Sequence, residues 1–398
     1  MLALEGIHVL DVASMLAGPY GATLLGDLGA EVIKLEPPNG DESRRIGPRR
    51  GTDSGVFVGV NRNKRGVVAD LRTPAGQRVL DGLLGWADVV VDNLRPAARV
   101  RLGLDFPSVH RRFPRLVAVS VSTFGADGPY SGRPGIDPIA QAMSGMTNVT
   151  GFPDADPVKA GPPVGDAVCS LLVANGALAA LWARQRTGLG QQVDVALIDG
   201  LVHIQAPYTG QYFLLGRQQP RTGNATDWYA PYDAYPCADG KRVHVACYND
   251  KFFTNLCAAM DRPDLAGDPR FADNDGRLAN RVELDRIIAG YLAGLPRAAA
   301  LERLWRHDVI VGPVNDYDEV FADPQVAHNQ MVVDTAHHAG PLRVTGVPVK
   351  LSATPGAVRR PPPGLGEHTA EVLRELGLEA HPEAHPGADP DSDDGGGA

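Results

Sequence analysis

The sequence predicts an α/β protein: a Rossmann-like large domain carrying a smaller α+β domain. Two observations point there. Short apolar runs such as VVV at 89–91 and VAVSVS at 117–122 recur between stretches of helical periodicity, as buried parallel strands require. Around residue 225 that rhythm gives way to short strands, a D-G turn at Asp239-Gly240 and aromatic residues.

The elements follow in order. Residues 7–11 read as a short strand, SMLAGPYG as a break, GATLLGDLG as a helix closed by Gly29, and AEVIKLE as a second strand. This β-loop-α-β unit lacks the G-x-G-x-x-G spacing of a dinucleotide site, so a Rossmann-like unit without a dinucleotide is the better reading. Residues 37–50 are polar and rich in Pro, Gly and Arg, a loop. NRNKRGVV then returns to strand, and 75–86 has helical spacing behind a Thr-Pro start. A Gly/Pro-rich passage at 125–165 holds one short helix near 139–143 and ends at GPPVGD. The apolar helix after it is too short and too interrupted, by Asn175 and Gly176, for a membrane span. A strand at 192–197 and a helix near Asp199 follow. Helices are expected at 251–260, 277–295 and 298–307, a strand in LRVTGVPVKLS and a last amphipathic helix in EHTAEVLRELG.

These elements give a large domain over 1–200, a linker at 201–224, a small domain at 225–325 and a return segment at 326–379. Residues 380–398 hold no large apolar side chain and are expected to be a disordered acidic tail.

The bulk numbers exclude several classes. A net charge of −9 argues against a nucleic-acid partner. The four cysteines form no C-x-x-C pair and the N-terminus has no basic region before its apolar stretch, so a reduced cytoplasm is the expected home and no membrane partner is expected. The eleven histidines include no H-E-x-x-H pair, and His337-His338 sits in a loop-like segment, so no metal is expected.

Asp166 is the residue with two readings. The loop GPPVGD delivers it to the start of a buried helix, where the helix dipole would keep it ionised and able to act as a nucleophile. Aspartate is also among the commonest N-cap residues, which is the other role such a position offers.

Seven separated segments decide between them by resemblance. GIHVLDVASMLAGPYGATLLGDLGAEVIKLEPPNGD, NRNKRGVVADLRTPAG, ADVVVDNLRP, GPPVGD, RTGLGQQVDVALIDG, VGPVNDYDEVFADPQV and GEHTAEVLRELG run in register from residue 6 to 377. Together they resemble the class III CoA-transferases, the group of formyl-CoA and carnitine CoA-transferases and α-methylacyl-CoA racemases. The resemblance implies two subunits threaded through one another as an interlocked homodimer. It implies that Asp166 carries the acyl group in moving CoA from an acyl-CoA thioester to a carboxylic acid acceptor, through aspartyl anhydride and aspartyl-CoA intermediates. Coenzyme A enters as part of the substrate, with no permanently bound cofactor. The implied CoA contacts are Met15, Leu16 and Ala17 in the first βα turn, Arg72 after the third strand, Asn93 and Leu94 after the fourth, and Arg101 in the next helix. Gly165 would leave space for the acyl group.

Departures narrow the reading. Leu16 stands where formyl-CoA transferases have glutamine and Pro37 where the family has an arginine, which disfavours formate and oxalate. Only Gly223 represents the glycine-rich flap of some members. The alternatives are a racemase, whose histidine falls on Ile136 and whose partner acid falls near Asn249, and a silent CoA-binding subunit. Acyl donor and acceptor are left open.

Overall fold

Six strands pair side by side, and the central ones are apolar because a strand covered on both faces has no polar face to present. The computed structural model describes residues 1–378. The strands are β1 (His8–Asp11), β2 (Glu31–Glu36), β3 (Lys64–Val68), β4 (Val89–Asp92), β5 (Val117–Ser122) and β6 (Gln192–Ala196). They form one parallel sheet in the order β3-β2-β1-β4-β5-β6. The winding reverses between β1 and β4, so the loops leaving the carboxyl ends of these two neighbours open a crevice.

The connecting helices are α1 (Ala17–Asp27), α2 (Pro74–Trp86), α3 (Asp137–Met143), α4 (Val164–Thr187) and α5 (Leu197–Ile204). In α2, Thr73 caps the Gly76 N–H, Pro74 takes the first helical position, and Val79, Leu80, Leu83 and Leu84 face the core. Helix α1 begins earlier than the break at SMLAGPYG suggests: Pro19 lies in the first turn, where a missing N–H costs no intrahelical bond.

The helix α4 corrects the sequence reading of the same stretch. At 24 residues it is long and apolar enough, by length and composition, to cross a membrane. Its Cys169, Val173, Ala177 and Ala180 are nevertheless buried, packed in part on α1. Of the two residues read as interruptions, Asn175 is exposed and Gly176 is a point of close approach: a Cβ on Gly176 would lie 2.6 Å from Val193 Cγ1 of β6. Gly21 of α1 does the same from the other side, since a Cβ there would lie 2.4 Å from Val173 Cγ1 and 3.1 Å from the Ser170 carbonyl.

Two compact units share the chain. The first comprises residues 1–144, 161–206 and everything described from Gln325 onward, and holds the sheet above. The second comprises residues 145–160 and 207–324; the sequence reading placed 145–160 with the large domain. Its antiparallel sheet sets Val311–Pro313 beside Arg242–Ala246 beside Tyr232–Pro236, the last two joined through the Asp239-Gly240 turn. Phe253, Leu256, Phe271, Leu284, Ile288 and Leu304 form its core. The helix expected at 277–295 is two, Asn274–Ala279 and Arg281–Leu292, parted at Asn280, whose side chain donates to the Gly276 and Arg270 carbonyls. The tail expected to be disordered lies outside the described residues.

The α1–α4 contact yields a stability test. Gly21→Ala should destabilise the protein by about 1–3 kcal/mol, because the branched Val173 side chain cannot swing aside as a flexible one would. Urea unfolding reads this directly, and an unchanged midpoint would show that the two helices can part freely.

Candidate active site

A helix that begins behind two prolines has no side chain of its own to satisfy its first N–H groups. Pro163 occupies the N-cap of α4 and makes no capping bond. The acceptor comes from α3 instead. Asp137 Oδ1 takes the Gly165 N–H at 2.7 Å and the Asp166 N–H at 3.3 Å, while its Oδ2 takes the Gln141 side-chain amide at 2.6 Å. Gly165 is what permits this approach: a Cβ on it would lie 2.8 Å from Asp137 Oδ1 and 3.1 Å from Leu201 Cδ1. Its smallness thus serves the buried carboxylate.

Asp166 is therefore not the cap. It is the third residue of α4, half-buried, and its carboxylate makes no hydrogen bond among the described residues. Burial pushes its pKa up to about 7, and the negative Asp137 pushes in the same direction. This reverses the expectation that the helix terminus keeps it ionised. The N–H groups that would do so already belong to Asp137. One turn on, the Cys169 thiol is raised to about 12 by burial and by the Asp166, Asp199 and Asp137 charges, which leaves it inert. All four cysteines are free and buried.

Five of the expected CoA positions cluster at the carboxyl edge of the sheet. Met15, Leu16 and Ala17 follow β1 and start α1, and Asn93 and Leu94 follow β4, the neighbouring strand at the crevice. The Ser170 hydroxyl lies 3.0 Å from the Ala17 carbonyl and 2.8 Å from the Asp166 carbonyl. One side chain thus spans the first βα turn and the turn that carries Asp166. The arginines differ. Arg101 is exposed and forms no ion pair among the described residues. Arg72 is also exposed but lies flat on Asp70, with contacts of 2.8 and 2.7 Å, and its hydrogen bonds hold that carboxyl at about 2. Arg72 must leave Asp70 to reach a phosphate.

With this geometry in place, comparison with known proteins is decisive. A family model described as CoA-transferase family III matches residues 4–369. The chain belongs to CoA-transferase family III. It is 38% identical over 383 residues to a succinate–glutarate CoA-transferase of Agrobacterium fabrum, covering 94% of this chain and 95% of that one. It is 36% identical over 376 residues to a succinyl-CoA–D-citramalate CoA-transferase of Chloroflexus aurantiacus, covering 94% of each. The crystal structure of a CAIB/BAIF family protein from Brucella suis matches with a TM-score of 0.87 at 35% identity, over 94% of this chain and 99% of that one. The protein is thus an enzyme of the CoA-transferase class, and coenzyme A belongs to its substrates.

Within this family III fold the remaining sequence positions sort themselves. Ile136, exposed at the N-cap of α3, carries no ionisable group; beside Asn249, which caps the helix Asp250–Ala259 through the Phe252 N–H at 3.1 Å, the acid is Asp250, paired with Arg277 at 2.7 Å. His337 and His338 are not loose loop residues. Both reach Asp53, at 3.4 and 2.9 Å, and three donor atoms there lie within 4.8 Å of one another. The Ala339 N–H donates to His337 Nδ1, which places the neutral ring's proton on Nε2, and Asp53 Oδ1 is taken by Arg44. Asp53 is buried, His337 half-buried and His338 exposed, so one carboxylate is shared by the Arg44 guanidinium and two imidazoles.

Sequence reasoning missed Asp137, Gln141 and Ser170 as site residues. The signal available for Asp137 was its own spacing: a carboxylate at the start of a helix with an amide four residues on, ahead of a helix whose prolines leave its N–H groups uncapped.

The pKa of Asp166 fixes the sign of a substitution. A carboxyl whose folded pKa is raised stabilises the fold only while protonated, and that contribution is lost as pH rises from about 4 through about 7. Asp166→Asn should therefore be more stable than the native protein at pH 8, by on the order of 1 kcal/mol, with the gap closing towards pH 4. Thermal unfolding at several pH values checks this; a less stable variant at pH 8 would restore the capping role.

Proposed function

We propose that this CoA-transferase moves CoA from succinyl-CoA to a dicarboxylic acid through covalent intermediates on Asp166. The observation that carries the reading is the free Asp166 carboxylate at the head of α4, one Ser170 side chain from the turn at Met15–Ala17. The substrate class comes from the relatives, whose names pair succinate or succinyl-CoA with glutarate and with citramalate.

In the proposed cycle a carboxylate oxygen of Asp166 attacks the thioester carbonyl carbon. The oxyanion collapses, the C–S bond breaks, and CoA leaves as a thiolate from a mixed anhydride. The thiolate then attacks the aspartyl carbonyl, which releases the donor as its carboxylate and leaves aspartyl-CoA. The acceptor carboxylate attacks that thioester, and the returning thiolate takes the new acyl group and frees Asp166. Asp166 is the nucleophile in the first step, offers its carbonyl carbon as the electrophile in the second and third, and is the leaving group in the last, and no proton has to move. CoA contacts remote from the carbonyl supply binding energy that the anhydride needs. Arg101 is the available phosphate partner and Arg72 a second once released from Asp70, with Leu16, Ala17 and Leu94 as apolar wall.

The strand order supports the Rossmann-like description of the large domain, with the crevice used for CoA in place of a dinucleotide. Exposed Leu171 and Trp182 on α4 support the homodimer expected from the resemblance, since large apolar side chains on one helix face call for cover. The division into a large domain, a small domain around 225–325 and a return segment from 326 remains part of this reading, with residues 145–160 and 207–224 counted in the second unit.

Two experiments test it. Incubation with succinyl-CoA and no acceptor should leave an adduct on Asp166, trapped by hydroxylamine and located by peptide mass; Asp166→Ala should lose transfer while still binding CoA. Adduct elsewhere, or turnover surviving in Asp166→Ala, would sink the assignment. Because the attacking form is the carboxylate, kcat/KM for the acyl-CoA should rise with pH through about 7. Asp137→Asn removes one of the two causes of the raised pKa, so this acid limb should move to lower pH; a limb that stays in place would assign it to another group.

A further inference from the structure

The first βα turn holds a conformation that its own residues disfavour. Met15 has φ +71°, the left-handed region that a residue with a Cβ avoids. What holds it there is a set of side chains from three different segments. The Met15 N–H donates to Asp41 Oδ1 at 3.2 Å, and Asp41 is itself fixed by Lys34 at 2.8 Å and by the Ser43 N–H and hydroxyl, each at 2.8 Å. Lys34 also donates to the Ala13 carbonyl at 2.9 Å, and Asp11 Oδ1 accepts the Ala13 N–H at 3.0 Å. From the far side Asn93 accepts the Ser14 N–H at 2.9 Å and donates to the Ser14 carbonyl at 2.7 Å. Every backbone polar group from the Ala13 N–H to the Met15 N–H is therefore taken by a side chain.

This is an uncommon expense of buried charge. Asp11, Lys34, Asp41 and Lys64 are all fully or almost fully buried, and Lys64 joins Asp11 at 2.7 Å while donating to Pro19 O and Asn61 Oδ1. A buried ion cluster adds little stability over well-packed apolar residues; what it adds is a single geometry for whatever hydrogen-bonds to it. Here that is the turn.

We propose that Asp11, Lys34, Asp41 and Asn93 are positioning residues that lock the left-handed Met15 turn in the shape that receives coenzyme A. Asn93 acts through the turn, because its side-chain oxygen and amide are committed to Ser14, and not as a CoA contact of its own. The inference rests on the reading that Met15, Leu16 and Ala17 touch CoA. It gives a use to the segments KLEPPNGD and NRNKRG, which the transfer chemistry itself leaves without one.

The test is a double-mutant cycle read by calorimetric titration of the full chain with free CoA. Asp41→Asn and Asn93→Ala are each made with Met15 and with Met15→Gly, since glycine adopts positive φ without steric cost. Each brace variant should weaken CoA binding about tenfold with Met15 present and less than about threefold with glycine in its place, while a merely structural loss is the same in both backgrounds. Equal losses in the two backgrounds overturn the proposal. Asn93→Ala lies outside the ion cluster and decides the matter should Asp41→Asn not fold. Native protein that fails to bind CoA at all would instead sink the underlying assignment of the turn.

Discussion

The buried carboxylate of Asp137 meeting the uncapped N–H groups of α4 is the contact on which the site depends. An isolated helix terminus attracts anions, and an aspartate in its first turn is ordinarily held ionised by it. In this fold the terminus is occupied before Asp166 can use it. Asp137 takes the Gly165 and Asp166 N–H groups, and Gln141 fixes its other oxygen. Asp166 is left with burial and a like charge, both of which raise its pKa. A basic, poorly solvated carboxylate is a better nucleophile than one bound by hydrogen bonds, so in the proposed cycle the cap on one residue would activate its neighbour.

A second constraint brings the two halves of the site together. Helices α1 and α4 can approach closely only because Gly21 presents no side chain to Val173, and that proximity puts Ser170 within reach of both the Ala17 and Asp166 carbonyls. The turn at the sheet's crevice and the turn carrying Asp166 are thus set by one packed interface. Small residues read from the sequence as breaks, Gly21 and Gly176, are where backbone meets side chain most closely.

The parallel sheet was legible because strands buried on both faces show as continuous apolar runs; the observed β5 coincides with the expected strand at 117–122. The position of Asp166 at the head of a long, partly buried helix was legible from GPPVGD and the apolar run behind it. What the sequence concealed is long-range and polar. Lys34 and Lys64 stand in strands, where charges ordinarily face water. Their burial depends on Asp11 and Asp41, supplied from other segments, and no local pattern reveals that pairing. Asp137 lies 28 residues from the Gly165 N–H it accepts, so its role exists only once α3 and α4 have met. The polar segment 37–50 looked like a solvated loop for the same reason: Arg44 is buried between Glu36 and Asp53, a fact of tertiary pairing that composition does not carry.

The two carboxylates divide their work in a way that bears on the proposed chemistry. Pairs that share a site often share a proton, but Asp137 has hydrogen-bond donors on both oxygens, and its Oδ1 accepts from the main chain that carries Asp166. Its carboxylate is held in place by those donors. Asp166 alternates between an anion and neutral acyl forms as the proposed cycle proceeds, because an anhydride or thioester on its carboxyl carries no charge there. Burial and the Asp137 charge therefore disfavour free Asp166 and leave its acyl forms untouched, which lessens the rise in energy from thioester to anhydride. The same two causes that lift the pKa thus favour the proposed covalent intermediates over the free anion, so in that cycle the raised pKa and the hold on an acyl group would share one origin at the α4 terminus.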